Sequence, residues 1–167
     1  MYTPDFSAYA GRIHIVFRRP RSGAEISRSI EKLMSGIAIR CGQAGATLIG
    51  HIKSIAETEG GGYLTCSATD SSGLVKCRGS LKDGTGDLSL VVNVLLYGLE
   101  RERVEEIVED EAGGVFGGPD SEVKLEDLEV EHDHDHEHGH DHEHEHDHED
   151  DHGHDCEEDD HEGAHGV

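Results

Sequence analysis

Histidine occupies every even position from His132 to His148, and Asp or Glu fills each odd position between them except at Gly139. The surrounding stretch, residues 131–167, contains 13 of the 15 histidines and 17 carboxylates, and it has no Lys or Arg. Because it offers almost no apolar surface to bury, it cannot offset the conformational entropy that folding removes. We therefore expect residues 131–167 to be a disordered tail, with any folded domain in the preceding part of the chain.

The acidic charge lies at the C-terminal end. Residues 1–99 carry 11 basic and 8 acidic side chains, whereas residues 100–130 carry 3 and 12, and the whole chain has a formal net charge of −23. A chain this acidic is not expected to bind nucleic acid or an anionic membrane. No apolar run is long enough to span a bilayer, and no signal peptide is visible. Four cysteines in 167 residues do not indicate a disulfide framework. We therefore expect a cytoplasmic protein.

Residues 1–112 show the pattern of a small α+β domain. Ser22 and Glu25 have the spacing of a capping box, and they precede a helical apolar stripe from Ile26 to Cys41. Strand or helix patterns follow the order β-α-β-β-β-β-α over residues 12–18, 23–40, 46–57, 63–69, 74–80, 88–97 and 100–111. This order predicts a two-layer sandwich in which two helices cover one face of a mainly antiparallel sheet.

Residues 113–130 are predicted to be a linker. Gly113, Gly114, Gly117, Gly118 and Pro119 interrupt the helical pattern, and the residues after them are mainly acidic. The predicted organisation is therefore a domain over residues 1–112, a Gly-rich acidic linker over 113–130 and the tail over 131–167.

The tail has the chemistry of a transition-metal ligand set. Neutral imidazole is the commonest protein ligand for transition metals, and the alternation lets a bending chain offer several imidazoles to one ion. Such sites suit Ni²⁺, Co²⁺ or Zn²⁺, and three or four imidazoles per ion would allow roughly three or four ions. The predicted metal ligands are His132, His134, His136, His138, His140, His142, His144, His146, His148, His152, His154, Cys156, His161 and His165.

The predicted domain offers weaker candidates. Around the turn that contains Gly73, Cys66 falls opposite Cys77, which is compatible with a metal half-site or a disulfide. Two free core cysteines are the favoured interpretation, because the face they share is otherwise apolar. Cys41 continues the apolar stripe of the first helix, and a core role is expected for it. His51 and His14 could serve as ligands or His51 as a general base, although strand histidines are more often structural or exposed. No phosphate-binding loop, nucleophile elbow or CxxC motif is present, so no enzymatic activity is predicted.

Scattered residues between positions 46 and 108 carry a family resemblance, namely Leu48–Lys53, Gly62–Leu64, Ser67, Ala68, Gly79, Val92–Val94 and Tyr97–Leu99. In these residues the chain resembles the accessory domain of CobW-like proteins, a group of metal-trafficking GTPases. The resemblance implies a metallochaperone role. The chain lacks Walker A, Walker B and Cys-x-Cys-Cys motifs, so GTP hydrolysis is not implied. The resemblance instead implies a separate accessory domain that works with a GTPase.

Three functional hypotheses follow. The leading one is a cytoplasmic transition-metal-binding protein that captures, buffers or delivers ions to a metal-trafficking GTPase or a metalloenzyme client. The second is a protein-interaction module whose acidic tail attracts a basic partner. The third is an enzyme that uses His51 or the Cys66 and Cys77 pair. The strand over residues 88–97 is apolar enough on both faces to be either central in the sheet or buried in a homodimer.

Overall fold

The computed structural model of the protein describes residues 6–128, and the predicted tail lies outside them. The described part contains six strands and two helices, which confirms the predicted α+β class. The strands are β1 (Phe6–Arg21), β2 (Leu48–Thr58), β3 (Gly62–Ala68), β4 (Lys76–Leu81), β5 (Thr85–Tyr97) and β6 (Ser121–Asp127). The helices are α1 (Gly23–Ala44) and α2 (Arg101–Phe116). Neither helix is long and apolar enough to cross a lipid bilayer.

All six strands form one antiparallel sheet in the order β4-β3-β2-β5-β1-β6. Strand β5 is central, as its apolar sequence allowed, and it pairs with both β1 and β2. Side chains alternate between the two faces of a sheet. One face packs against both helices and holds the buried β5 residues Leu88, Leu90, Val92, Val94 and Leu96. No element within residues 6–128 covers the opposite side, which we call the open face.

Helix α1 begins where the sequence predicts. The Ser22 hydroxyl accepts a hydrogen bond from the Glu25 backbone N–H at 3.2 Å, and the Glu25 carboxylate accepts one from the Ser22 backbone N–H at 3.1 Å. This reciprocal cap satisfies two N–H groups that the first turn leaves unpaired. The helix ends at Ala44, and the residue that caps it, Gly45, has a φ of 113°, which favours glycine. Its predicted apolar stripe is buried at Ile26, Ile30, Leu33, Met34, Ile37 and Cys41.

The structure differs from the predicted linker over residues 113–127. Helix α2 continues to Phe116, and β6 pairs with β1 over residues 121–127. The reason is apolar burial, since Ala112 and Phe116 are buried in the core and Val123 and Leu125 pack against it. These contacts offset the low helix propensity of Gly113 and its neighbour. The folded domain therefore extends beyond residue 112.

We expect Ser22→Ala to lower the free energy of unfolding by about 1 kcal/mol, because it removes the hydroxyl that caps α1. Urea denaturation measures the effect. Hydrogen bonds from Ser22 lower the pKa of Glu25 from its ordinary value of 4.5. The stabilisation from this ionised carboxylate is present above pH 4.5 and is lost as the pH falls through the lowered pKa. The difference in free energy of unfolding between the unchanged protein and Ser22→Ala should therefore shrink in acid.

The matched control is Ser29→Ala on the same helix, because the Ser29 hydroxyl makes no hydrogen bond within the described residues. Its effect should stay within about 0.5 kcal/mol. Equal losses for both variants would contradict the capping role of Ser22.

Candidate functional site

All of the predicted tail ligands, from His132 to His165 and including Cys156, lie outside the described residues. Within residues 6–128, no group of three His, Cys, Asp or Glu side chains is placed so that it could hold a metal ion. The structure therefore bears on the secondary candidates, which are three cysteines, two histidines and the surfaces around them.

Cys66 and Cys77 form a disulfide between the neighbouring strands β3 and β4, with their Cα atoms 4.1 Å apart. The strand register pairs these two residues directly, as the turn at Gly73 predicts. The favoured interpretation as two free core cysteines is therefore wrong, and the disulfide alternative is the one observed. Cys66 is buried, whereas Cys77 is exposed on the edge strand. Disulfides persist in oxidising compartments and are reduced in most cytosols, so the state of this pair depends on where the protein works.

Cys41 is a free thiol in the core of the domain, which confirms the role expected from the helical stripe. Its side chain is fully buried on α1, and this burial raises the pKa of the thiol to about 11. The thiolate is the reactive form of cysteine, so the thiol of Cys41 is poorly suited to nucleophilic chemistry or metal binding.

His14 and His51 both belong to the open face, but the structure does not bring them together. His51 on β2 pairs with Leu95, whereas His14 on β1 pairs with Ser89. Ser89 and Leu95 are six positions apart on β5, which corresponds to about 20 Å along the strand. The Nε2 atom of His14 lies 3.6 Å from a carboxylate oxygen of Glu126 on β6. The two histidines therefore cannot share one metal ion.

A cluster around the buried Tyr9 joins α2 to the sheet, and no pattern in the sequence predicted it. Tyr9 is 1% exposed, and its hydroxyl has no hydrogen-bond partner within the described residues. The guanidinium of Arg101 lies 5.3 Å from the centre of the Tyr9 ring and contacts both carboxylate oxygens of Asp127 at 2.6 and 2.7 Å. Burial, followed by the charges of Glu105 and Asp127, raises the pKa of Tyr9 to about 12.

The sequence contains only a weak signal for this cluster. Tyr9 precedes the predicted first strand, and Asp127 lies in the predicted linker, so neither residue belonged to a predicted element. The alternation of Tyr9, Gly11 and Ile13 could have extended the first strand towards the N-terminus. The cluster holds the first turn of α2 against β6, which is a structural role.

No protein-family model matches the chain, and no curated protein matches it. Among solved structures, the chain is similar to a zinc-bound triple mutant of the YjiA GTPase, with 17% sequence identity and a TM-score of 0.35. The similarity covers 66% of this chain and 30% of the GTPase chain, so this chain spans less than a third of the length of that protein. A TM-score at this level does not establish a shared fold, and the resemblance to CobW-like accessory domains stays a prediction.

We expect Gly11→Ala to destabilise the domain by about 1–3 kcal/mol, because the added methyl group would overlap the Tyr9 hydroxyl and ring. Tyr9→Phe alone should be neutral or stabilising, since it removes a buried hydroxyl that has no partner among residues 6–128. The double variant should lose less stability than the sum of the single effects. Urea denaturation of the four proteins gives the coupling free energy, and strictly additive effects would contradict this packing.

The cysteines should react in a fixed order in a full chain that carries Cys156→Ser. Without reductant, iodoacetamide should label no cysteine, because Cys66 and Cys77 are joined and Cys41 is buried. After mild reduction it should label Cys66 and Cys77, and Cys41 should react only in denaturant. Peptide mass spectrometry identifies the cysteines that carry the label. Labelling of Cys77 before any reduction would show that the disulfide does not form.

Proposed function

We propose that this protein binds transition-metal ions through residues 131–167 and captures, buffers or delivers Ni²⁺, Co²⁺ or Zn²⁺. One observation carries the proposal, namely the thirteen histidines that alternate largely with carboxylates in a segment without Lys or Arg. Imidazole nitrogens are good ligands for these ions, and the carboxylates attract cations and add oxygen donors. The ions are cargo in this proposal, and no catalytic activity is assigned to the chain.

The ligand pattern favours exchange over tight storage. Nine histidines repeat at intervals of two residues, so many ligand combinations of similar chemistry can hold one ion. Because no single ligand set is specified by this repeat, an ion can pass from one combination to the next by exchanging one imidazole at a time, which favours release. These properties suit buffering and transfer better than permanent retention of a metal.

In this proposal the folded domain docks on a protein partner in the cytoplasm. The partner is a metal-trafficking GTPase or a metalloenzyme client. The open face supports such a role because large apolar side chains are exposed on it. Phe6 is 54% exposed, Val16 49% and Leu48 59%. Docking would tether the metal ligands to the partner and raise their effective concentration near its metal site.

Metal binding should require the tail histidines and should be lost in acid. Native mass spectrometry and calorimetric titration with Ni²⁺, Co²⁺ and Zn²⁺ should show several ions bound to the full chain at pH 7.5. Free imidazole has a pKa of about 6.5, and metal binding requires its neutral form. The neutral fraction of each imidazole falls about tenfold between pH 7.5 and pH 5.5, so a site with three imidazoles should weaken roughly a thousandfold.

Two variants make this test specific. The first replaces all thirteen tail histidines with Gln and keeps the carboxylates, so it separates imidazole ligation from plain electrostatic attraction. The second ends at residue 130 and retains every described strand and helix. Both variants should lose the ions. Unchanged metal stoichiometry in the Gln variant would contradict the proposal and favour the acidic interaction module, and ions retained by the truncated chain would place the site in the domain.

A further inference from the structure

Three cations line one groove of about 400 Å³ on the open face. The strand register aligns Lys76 on β4 with Ser67 on β3, Ser67 with Lys53 on β2, and Lys53 with Asn93 on β5. These four residues form one row across four strands. We call this feature the basic groove and define it by Lys53, Ile55, Ser67, Lys76, Arg78 and Asn93.

The three cations are close enough for their fields to add. Lys53 and Lys76 lie on strands two apart, so their backbones are about 10 Å from each other. Lys76 and Arg78 lie two residues apart on β4, on the same face and about 7 Å from each other. These distances are close to the Debye length of about 8 Å at physiological ionic strength, so salt screens the mutual repulsion only in part.

No carboxylate lines the basic groove. Within residues 6–128, none of its three cations makes an ion pair, whereas Arg12, Arg40 and Arg103 each have a carboxylate partner. A bound anion would relieve the repulsion among Lys53, Lys76 and Arg78 and would supply acceptors for their N–H groups. The same charges disfavour a metal cation here, so the basic groove is separate in chemistry from the proposed metal ligands.

The remaining groups of the groove narrow the class of ligand. Ile55 is 46% exposed and provides an apolar surface beside the cations. The Ser67 hydroxyl and the Asn93 amide can donate to or accept from a polar ligand atom. The volume lies within the range of small-molecule sites and is too small to enclose a folded domain.

From these observations we propose that the basic groove binds a small organic anion whose phosphate or carboxylate group lies between Lys53, Lys76 and Arg78 and whose apolar part contacts Ile55. Both acid groups form charge-assisted hydrogen bonds with lysine and arginine, and the planar guanidinium of Arg78 matches either group with two parallel bonds.

The test uses the full chain, freed of metal, and follows amide NMR shifts during titration with phenyl phosphate, benzoate and inorganic phosphate. Shifts should concentrate on the strands that carry the groove residues. Phenyl phosphate should bind more tightly than inorganic phosphate because only the phenyl group contacts Ile55. Stronger binding of phenyl phosphate than of benzoate would assign the natural ligand to the phosphates, and the reverse order would assign it to the carboxylates.

Substitutions then test the named contacts. The double change Lys53→Gln with Arg78→Gln should weaken phenyl phosphate binding at least about tenfold, which corresponds to about 1.4 kcal/mol. Ile55→Ser should weaken phenyl phosphate but leave inorganic phosphate unchanged. Lys124→Gln is the matched control, because Lys124 is an exposed cation on β6 of the same sheet and does not line the groove. A thermal melt of each variant confirms that the fold is retained.

Three results would overturn the proposal. The first is the absence of NMR shifts with all three probes at millimolar concentration. The second is an equal loss of binding in the Lys124→Gln variant, which would indicate diffuse attraction to the basic surface. The third is tighter binding of a hexaglutamate peptide with shifts that extend beyond the groove, which would indicate an extended acidic partner instead of a small ligand.

Discussion

The pairing of β5 with both β1 and β2 is the interaction on which the rest of the domain depends. Five alternate side chains of β5, from Leu88 to Leu96, are at most 2% exposed and form the centre of the surface against which the helices pack. Each of these positions is matched across the sheet by residues of β1 or β2, such as Ile13 opposite Leu90. Removing β5 would split the sheet into two parts, and neither part could bury its helix-facing side alone.

This arrangement leaves the two faces of the sheet with different chemistry. The face towards the helices must be apolar and closely packed, so its polar exceptions are few, as in Ser54 and the Tyr9 hydroxyl. The open face has no such requirement, and it alternates apolar residues such as Ile55 with charged ones such as Lys53. Charged groups keep most of their hydration there, so they can be grouped at little cost in stability.

Local signals made part of the fold predictable from sequence. The capping pair Ser22 and Glu25 and the following apolar stripe specified α1, and the spacing around Gly73 specified the register of Cys66 against Cys77. The sequence did not predict strand β6, because only Val123 and Leu125 contribute apolar side chains to it. Its pairing with β1 also joins residues more than a hundred positions apart. The sequence also could not choose between thiol, metal ligand and disulfide at Cys66, because that choice depends on redox conditions as well as geometry.

The two candidate sites also differ in whether the sequence alone predicts them. The alternation of histidine and carboxylate is a compositional signal, so it can be interpreted without any structure. The basic groove is a product of topology, because Lys53 and Arg78 lie far apart in sequence and meet only when β2, β3 and β4 pair in register. Taken together, these features separate two tasks. In the two proposals, the repeated histidines would supply many equivalent ligand sets for metal ions, whereas Lys53, Lys76 and Arg78 are held in register on strands of one sheet and would bind an anion in a defined geometry.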